Sequence, residues 1–259
     1  MNILMLDFET SGLSPEADRI TEVGALLVNE KWDKVASFNH LIYDKDASPI
    51  TPEITALTGI SDSLLMEKGK PATEVFEALG MFAGKVDFAV AYNEEFDSGM
   101  FRAAMKKYTL DMIPEISMLL QTPWLCAMKD VEKNYNLKCW KLGHLCLDHG
   151  LAVDPSVLHR AIDDIELTRR MLVHIGETPR GMVQFRHEPW AFLRALIPAP
   201  WEDNGVGKGQ AQKLGYTWEQ AKGDPQKFEK AWVKKVKERF VDEEIRRAPF
   251  KVRRINTMS

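Results

Sequence analysis

Leu4-Met5-Leu6-Asp7-Phe8-Glu9-Thr10-Ser11-Gly12-Leu13 decides the fold. The stretch opens as an apolar run, takes on two carboxylates one residue apart and stops at a Ser-Gly pair. An apolar run of this length bounded by turn residues reads as a buried strand. On a strand, side chains two apart share a face, so Asp7 and Glu9 project together from the end of a core strand. Carboxylates held that close repel unless a cation lies between them. Hard divalent ions such as Mg²⁺ and Mn²⁺ favour oxygen ligands of this kind. A solvated strand end or a capping pair would use the same two residues, so the decision rests on further acids elsewhere in the chain.

Working outward, Ile20 to Val28 and Val35 to Tyr43 read as second and third strands, joined by links short enough for an antiparallel meander. Thr51-Pro52-Glu53 opens a helix, with Thr51 as N-cap and Pro52 in its first turn, and Gly59 closes it. Pro71 to Phe82 is a second helix, with Val75, Leu79 and Phe82 on one face. Val86 to Tyr92 is apolar apart from Asp87, as in a strand buried on both sides. It leads through Asn93-Glu94-Glu95-Phe96-Asp97 into the helical Arg102 to Tyr108, an order that favours parallel pairing. Trp124 to Val131 carries the chain onward, Leu142 to Leu147 is a helix core, and Arg160 to Ile175 is a strongly periodic last helix. The fold class predicted is α/β, a mixed sheet flanked by helices.

Asp97 falls where the fourth strand gives way to a helix, at the sheet edge where ligands of parallel sheets gather. Asp164 lies on the last helix. Asp7, Glu9, Asp97 and Asp164 would thus surround one pocket, a set that two metal ions would satisfy while clamping an in-line displacement at phosphorus. His159 precedes Asp164 by five residues, a spacing that does not share a helix face. It is therefore placed in the loop before the helix, free to take a proton from an attacking water, as an imidazole titrating near neutrality can.

Asp7-x-Glu9-Thr10, Asn93-x-x-Phe96-Asp97 and His159-Arg160-Ala161-x-x-Asp164-x-x-x-Thr168 resemble, in order and spacing, the three motifs of the DEDDh family. These are the DnaQ-like 3′→5′ exonucleases of the ribonuclease H-like superfamily, and the resemblance spans roughly residues 1–175. Trp124 to Lys129 and Lys141-Leu142-x-x-Leu145-Cys146 look most like its exonuclease X branch. The resemblance implies a mixed five-stranded sheet flanked by helices, with Asp7, Glu9, Asp97 and Asp164 as ligands to two Mg²⁺ (Mn²⁺ substituting) and His159 as general base. It further implies that the backbone around Phe8 and Thr10 holds the 3′-terminal nucleotide, that Leu13 packs on its base, and that Asn93 and Phe96 shape the same pocket. The product would be a nucleoside 5′-monophosphate. Tyr92 and Thr58 stand where many relatives have histidines, which bears on strand-end handling rather than on the chemistry.

The domain layout expected is an exonuclease domain over 1–178, a linker with a short helix over 179–200, and a small module over 201–259. Thr178-Pro179-Arg180-Gly181 marks the boundary, Trp190 to Leu196 the short helix, and Pro198-Ala199-Pro200 a stiff spacer. Phe228, Trp232, Val236 and Phe240 recur every four residues, which predicts a final helix from Phe228 to Ile245. Net charge is −4, unevenly placed: 14 Lys/Arg against 9 Asp/Glu from Trp201 onward leaves 20 against 29 before it. Basic residues among Trp201, Tyr216, Trp218, Phe228 and Trp232 suit single-stranded nucleic acid; the same aromatics could instead be the core of a small module. About 60 residues are marginal alone, so the module is expected to dock on the main domain, on a second copy in a homodimer, or on a polymerase partner.

No apolar run approaches the roughly 18 residues of a membrane span, and no signal peptide is evident. Three cysteines, Cys126, Cys139 and Cys146, make an odd, sparse set that favours a reducing cytoplasm over a disulfide framework. Cys139, His144, Cys146 and His149 have irregular spacing for zinc. Gly205 to Gly209 lacks the spacing and the following Ser/Thr of a phosphate loop and is expected to be a flexible linker. The function expected is a metal-dependent 3′→5′ exonuclease with nucleic acid, above all DNA with a free 3′ end, as its partner. An RNA 3′-end trimming enzyme and a polymerase-bound or nucleic-acid-binding subunit are the alternatives.

Overall fold

In the computed structural model, which describes residues 1–135, 137, 139–154, 158–200, 207–219 and 230–255, the opening stretch is β1 (Asn2–Thr10). Its alternation sorts the molecule into layers. Leu4, Leu6 and Phe8 enter one core and Ile3 and Met5 the other. Asp7 and Glu9 continue the second row, so both carboxylates leave the strand towards the layer that packs on Ile3 and Met5.

Around β1 lie β2 (Ile20–Asn29), β3 (Lys34–Leu41), β4 (Phe88–Ala91) and β5 (Trp124–Cys126), in the order β3-β2-β1-β4-β5. The first three form the antiparallel meander, with Asp7 opposite Gly24 and Glu9 opposite Glu22. β4 and β5 add in parallel, Met5 pairing with Val90 and Val90 with Leu125. The chain is a mixed five-stranded sheet between helices.

One core lies under α3 (Ala72–Ala83), α4 (Glu94–Tyr108) and α5 (Pro114–Gln121) and includes Phe76, Leu79, Met100, Phe101 and Ile116. The other includes Leu145 of α6 (Leu142–Asp148), Ile165, Met171 and Leu172 of α7 (Ala161–His174), and Met182 of α8 (Pro179–His187). α1 (Pro52–Thr58) begins and ends as its residues dictate: Thr51 accepts from the Ile54 N–H, and Gly59 takes φ 71°. α2 (Asp62–Lys68), capped by Ser61, and α5 were not anticipated; each spans only about two turns.

Two compact units divide at Arg186/His187 rather than at Thr178. The Thr-Pro-Arg-Gly run does not break the first unit but starts α8, where proline fits a first helical turn. Met182 and Phe185 are then buried, and the Trp32 indole donates to the Glu177 carbonyl at 2.8 Å. The 179–200 linker with a short helix is therefore incorrect. Trp190 to Leu196 contributes instead β6 (Trp190–Ala195).

The second unit is a four-stranded antiparallel sheet, β7-β8-β6-β9, of β7 (Thr217–Glu219), β8 (Ala231–Lys237), β6 and β9 (Val252–Ile255). The expected helix from Phe228 to Ile245 is another correction. Phe228 lies outside the described residues, Trp232 and Val236 are on β8, and only α10 (Val241–Arg247) is α-helical. A spacing of four puts residues on one face of a strand as well as of a helix, so the periodicity did not discriminate. Of the expected Gly-rich linker, Gly207 to Gly209 instead open α9 (Gly207–Lys213), and 205–206 lie outside the described residues. Among the described residues, no helix is long and apolar enough to cross a membrane.

Candidate active site

Asp7, Glu9 and Asp164 come together, with one oxygen from each within 4.8 Å of the others. β1 supplies the first two; α7 brings the third across the sheet. The helix can come so close because β2 carries Gly24 directly opposite Asp7: a Cβ there would lie 2.7 Å from the Ala161 carbonyl carbon.

A second device holds the helix end. Glu22, fully buried opposite Glu9, accepts from Arg160 Nε at 3.0 Å, Arg160 Nη2 at 2.6 Å, the Ala161 N–H at 3.2 Å and Asn39 Nδ2 at 3.1 Å. Its carboxylate thereby fixes the N-cap residue of α7 and the first helical N–H. Sequence reasoning missed Glu22 because a lone acid inside an apolar strand carries no spacing signal. The available signal was its burial, since an ionised side chain is almost never enclosed without a partner.

His159 precedes α7 in an exposed loop, as its spacing from Asp164 requires, and holds φ 69°. Its N–H points to Asp164 Oδ1 at 3.4 Å. The backbone turn thus places an imidazole and a carboxylate at one helix mouth.

Asp97 does not join the other three acids within that distance. It stands in the first turn of α4, whose packing partners lie in the core on the far side of the sheet. It is 2% exposed, and its carboxylate accepts from the Phe8 N–H. It remains close enough to Asp7 for its charge to raise that residue's pKa.

All four acids are held above the usual carboxylate range, in each case chiefly by burial. Glu9 is pushed up to about 7, with Asp164 and Glu22 adding to the burial and Arg160 opposing it. Asp97 rises to about 8 despite the Phe8 hydrogen bond, and Asp164 to about 6 despite the His159 N–H and ring. Asp7 is raised by burial and then by Asp97, Asp164, Glu9 and Glu22. Near neutral pH this cluster either retains protons or takes up positive charge. Hard oxygen donors under mutual repulsion suit a divalent cation.

Of the expected pocket residues, Leu13 is 83% exposed on the β1–β2 loop. The loop is pinned below it by Asp18, which accepts from the Ser14 N–H at 2.9 Å and the Ser11 hydroxyl at 3.2 Å. Thr10 is buried and donates its hydroxyl to Gly12 O at 2.6 Å. Phe8 stacks on Phe101 in the core, 6.2 Å between ring centroids. Asn93 is the N-cap residue of α4, its carbonyl accepting from Phe96 and Asp97, and the Phe96 ring packs against the core. The Phe8 and Phe96 rings therefore belong to the core beneath the end of β1.

The zinc alternative does not assemble. Cys139 Sγ lies 2.9 Å from His144 Nδ1, but Cys146 is buried in the core and His149 Nε2 bonds Asn134 Oδ1 at 2.6 Å. Among the described residues, Asp7, Glu9 and Asp164 are the one group placed to hold a metal ion.

Sheet order, acid cluster and adjoining histidine define a DEDDh-type, DnaQ-like exonuclease domain. The sequence profile of the RNase_T family, described as exonuclease, matches residues 4–172, and the chain belongs to that family. The DNA polymerase III subunit epsilon of Treponema pallidum (strain Nichols) is 30% identical over 194 residues, 71% of this chain and 82% of that protein. The PolC-type DNA polymerase III of Thermotoga petrophila is 26% identical over 174 residues, and the matched part is only 12% of that much longer protein. Among solved structures, exonuclease X in complex with 5′-overhanging duplex DNA superposes with TM-score 0.52 at 23% identity, over 71% of this chain and 98% of that one. An E. coli ExoI–ssDNA complex superposes with TM-score 0.66 at 18% identity, over 96% of this chain and 68% of that one.

Proposed function

We propose that the chain is a 3′→5′ exonuclease that hydrolyses DNA from a free 3′ end to nucleoside 5′-monophosphates. Asp7, Glu9 and Asp164, with Asp97 beside them, would hold two Mg²⁺, for which Mn²⁺ would substitute. The observation that carries this reading is the convergence of three carboxylate oxygens within 4.8 Å beside a histidine at the same helix mouth. Bound there, the cations would supply Lewis acidity towards the attacking water and the leaving oxygen.

The chain's own groups do the rest. The His159 ring, on an exposed loop, takes the proton of the attacking water at a ring nitrogen. Glu22 and Arg160 hold that loop and Asp164 in register with β1. Asp97 fixes the β1 end through the Phe8 N–H. Leu13, extended from a pinned loop, offers an apolar surface to the terminal base. DNA is favoured over RNA because the relatives are named for DNA polymerases.

The test is a time course on 5′-labelled single-stranded DNA, duplex DNA and RNA of one sequence, with Mg²⁺, Mn²⁺ or EDTA. A metal-dependent ladder that shortens from the 3′ end and is strongest on DNA is expected. A ladder strongest on RNA would move the reading to RNA 3′-end trimming, and binding without cleavage would overturn it. A second reading, a proofreading subunit acting with a polymerase, is favoured by the epsilon relative, 82% of which aligns here. Co-elution of the intact chain with a polymerase catalytic subunit would support it.

A further inference from the structure

The C-terminal sheet sorts its side chains by face. Across β6 and β8, Trp190 pairs with Lys237, Phe192 with Lys235 and Arg194 with Val233. Across β6 and β9, Phe192 pairs with Ile255 and Arg194 with Arg253. Directly opposed residues of an antiparallel pair share a face. One face thus collects Trp190, Arg194, Lys235, Lys237 and Arg253 around a small buried cluster of Val233 and Ile255, against which Phe192 packs. The other collects the buried Ala191, Leu193, Ala195, Trp232 and Val236, with Lys234 paired to Glu244 of α10 at 2.7 Å. Of the aromatics that the sequence offered as base-stacking groups, Trp201 and Phe228 lie outside the described residues. Trp232 and Tyr216 are buried, Trp232 packing edge-on to Trp218 at 5.6 Å.

Trp190 differs. Its side chain is 43% exposed, past the last register pair of β9. Lys237 Nζ lies 4.2 Å and Lys235 Nζ 4.5 Å from its ring centroid. The two lysines have different surroundings. Lys237 is 2% exposed and donates to the Glu188 carbonyl at 3.0 Å, so it fixes the indole in place. Lys235 is exposed, and its ammonium lies over a ring already held in one orientation, on a flexible stem that can swing away into solvent. A fixed, half-open indole under a solvent-facing cation suits a base and its phosphate: the Lys235 ammonium leaves the ring for the phosphate, and the base takes its place on the π-face.

We propose that Trp190 and Lys235 form a contact for single-stranded nucleic acid on the C-terminal unit, Trp190 stacking on one base and Lys235 meeting a neighbouring phosphate. This rests on the nuclease reading above and adds a substrate contact outside the carboxylate cluster.

The experiment uses the intact chain. Binding of a labelled oligothymidylate is measured in EDTA, where no hydrolysis is expected, from about 50 to 200 mM salt. In parallel, hydrolysis of p-nitrophenyl thymidine 5′-monophosphate, whose single base leaves none for a second stacking contact, is measured with Mg²⁺. Trp190→Ala is expected to weaken oligomer binding roughly 5- to 100-fold with little change in salt slope. Lys235→Ala is expected to reduce the slope by about 0.7. Trp190→Phe, which keeps a ring, is expected to recover much of the affinity, and all three variants should cleave the small ester at the parent rate. Oligomer binding unchanged by both alanine variants would overturn the proposal. So would Trp190→Phe as weak as Trp190→Ala, which denies stacking, or an equal loss on the small ester, which marks a folding defect. A parent chain that binds the oligomer but does not cleave the small ester with Mg²⁺ would refute the nuclease reading instead.

Discussion

At the scale of single residues, the site is a set of acids held above the usual carboxylate range by burial and by one another. Asp164→Asn removes one of three converging ligands while preserving shape, and turnover of labelled DNA is expected to fall by at least about 10²-fold with the melting temperature retained or raised. Undiminished turnover would refute the assignment. The raised pKa values set a pH dependence whose sign follows from linkage. Asp164, Glu9 and Asp97 keep protons up to about 6, 7 and 8 in the native state, against ordinary values of 3.8, 4.5 and 3.8. The native chain therefore binds more protons than the unfolded one through this window. In EDTA, stability is expected to be greatest below pH 4 to 5, as far as these groups are concerned, and to decline as pH rises to about 8. Saturating Mg²⁺ should flatten that decline, which thermal melts across pH with and without the ion would reveal. Glu22→Gln keeps the size but not the charge that gathers Arg160, Ala161 and Asn39. A stability loss of about 1–3 kcal/mol is expected, with kcat falling more than KM rises; unchanged kcat would reduce Glu22 to a structural ion pair.

At the scale of elements, the site depends on how closely α7 approaches β2. Gly24 leaves no room for a side chain, the nearest atom being backbone 2.7 Å from an ideal Cβ. Gly24→Ala must shift the helix or the strand. It is expected to cost about 1–3 kcal/mol and to lower turnover by up to about 10²-fold through misplacement of Asp164 and His159. Parent activity in a folded Gly24→Ala chain would place the helix elsewhere. The elements around the site were legible because they announce themselves locally: β1 by its apolar run, α1 by Thr51, Pro52 and Gly59, and α7 by its 3.6-residue stripe. α2 and α5 were not, being seven and eight residues long with too few turns to display a period.

For the whole molecule, the two units meet the solvent with different charge and different logic. The boundary at Arg186/His187 predicts that a chain of residues 1–186 keeps the exonuclease core, whereas one ending at 178 strips α8 from it. Loss of the buried Met182 and Phe185 exposes the core beneath them and is expected to lower stability by several kcal/mol. Thermal melts of the two fragments check this, and equal melting temperatures would count against the boundary. Cleavage of the small ester by the 1–186 fragment would confirm that catalysis needs only the first unit.

The sequence by itself determined the mixed sheet, the pairing of Asp7 with Glu9 on one face and the loop position of His159, because strand and helix periodicities act within a few residues. It also determined the family, since three motifs in order identify it. What only the tertiary structure decided depends on residues far apart in the chain. Glu22 and Arg160 are separated by 138 positions, and their ion pair is visible only when α7 lies on β2. Asp97 turns towards the Phe8 N–H because α4 packs on the opposite face of the sheet from α7. The strands of the C-terminal unit were hidden because a four-residue repeat fits both periods, and pairing with β6 selected the extended form.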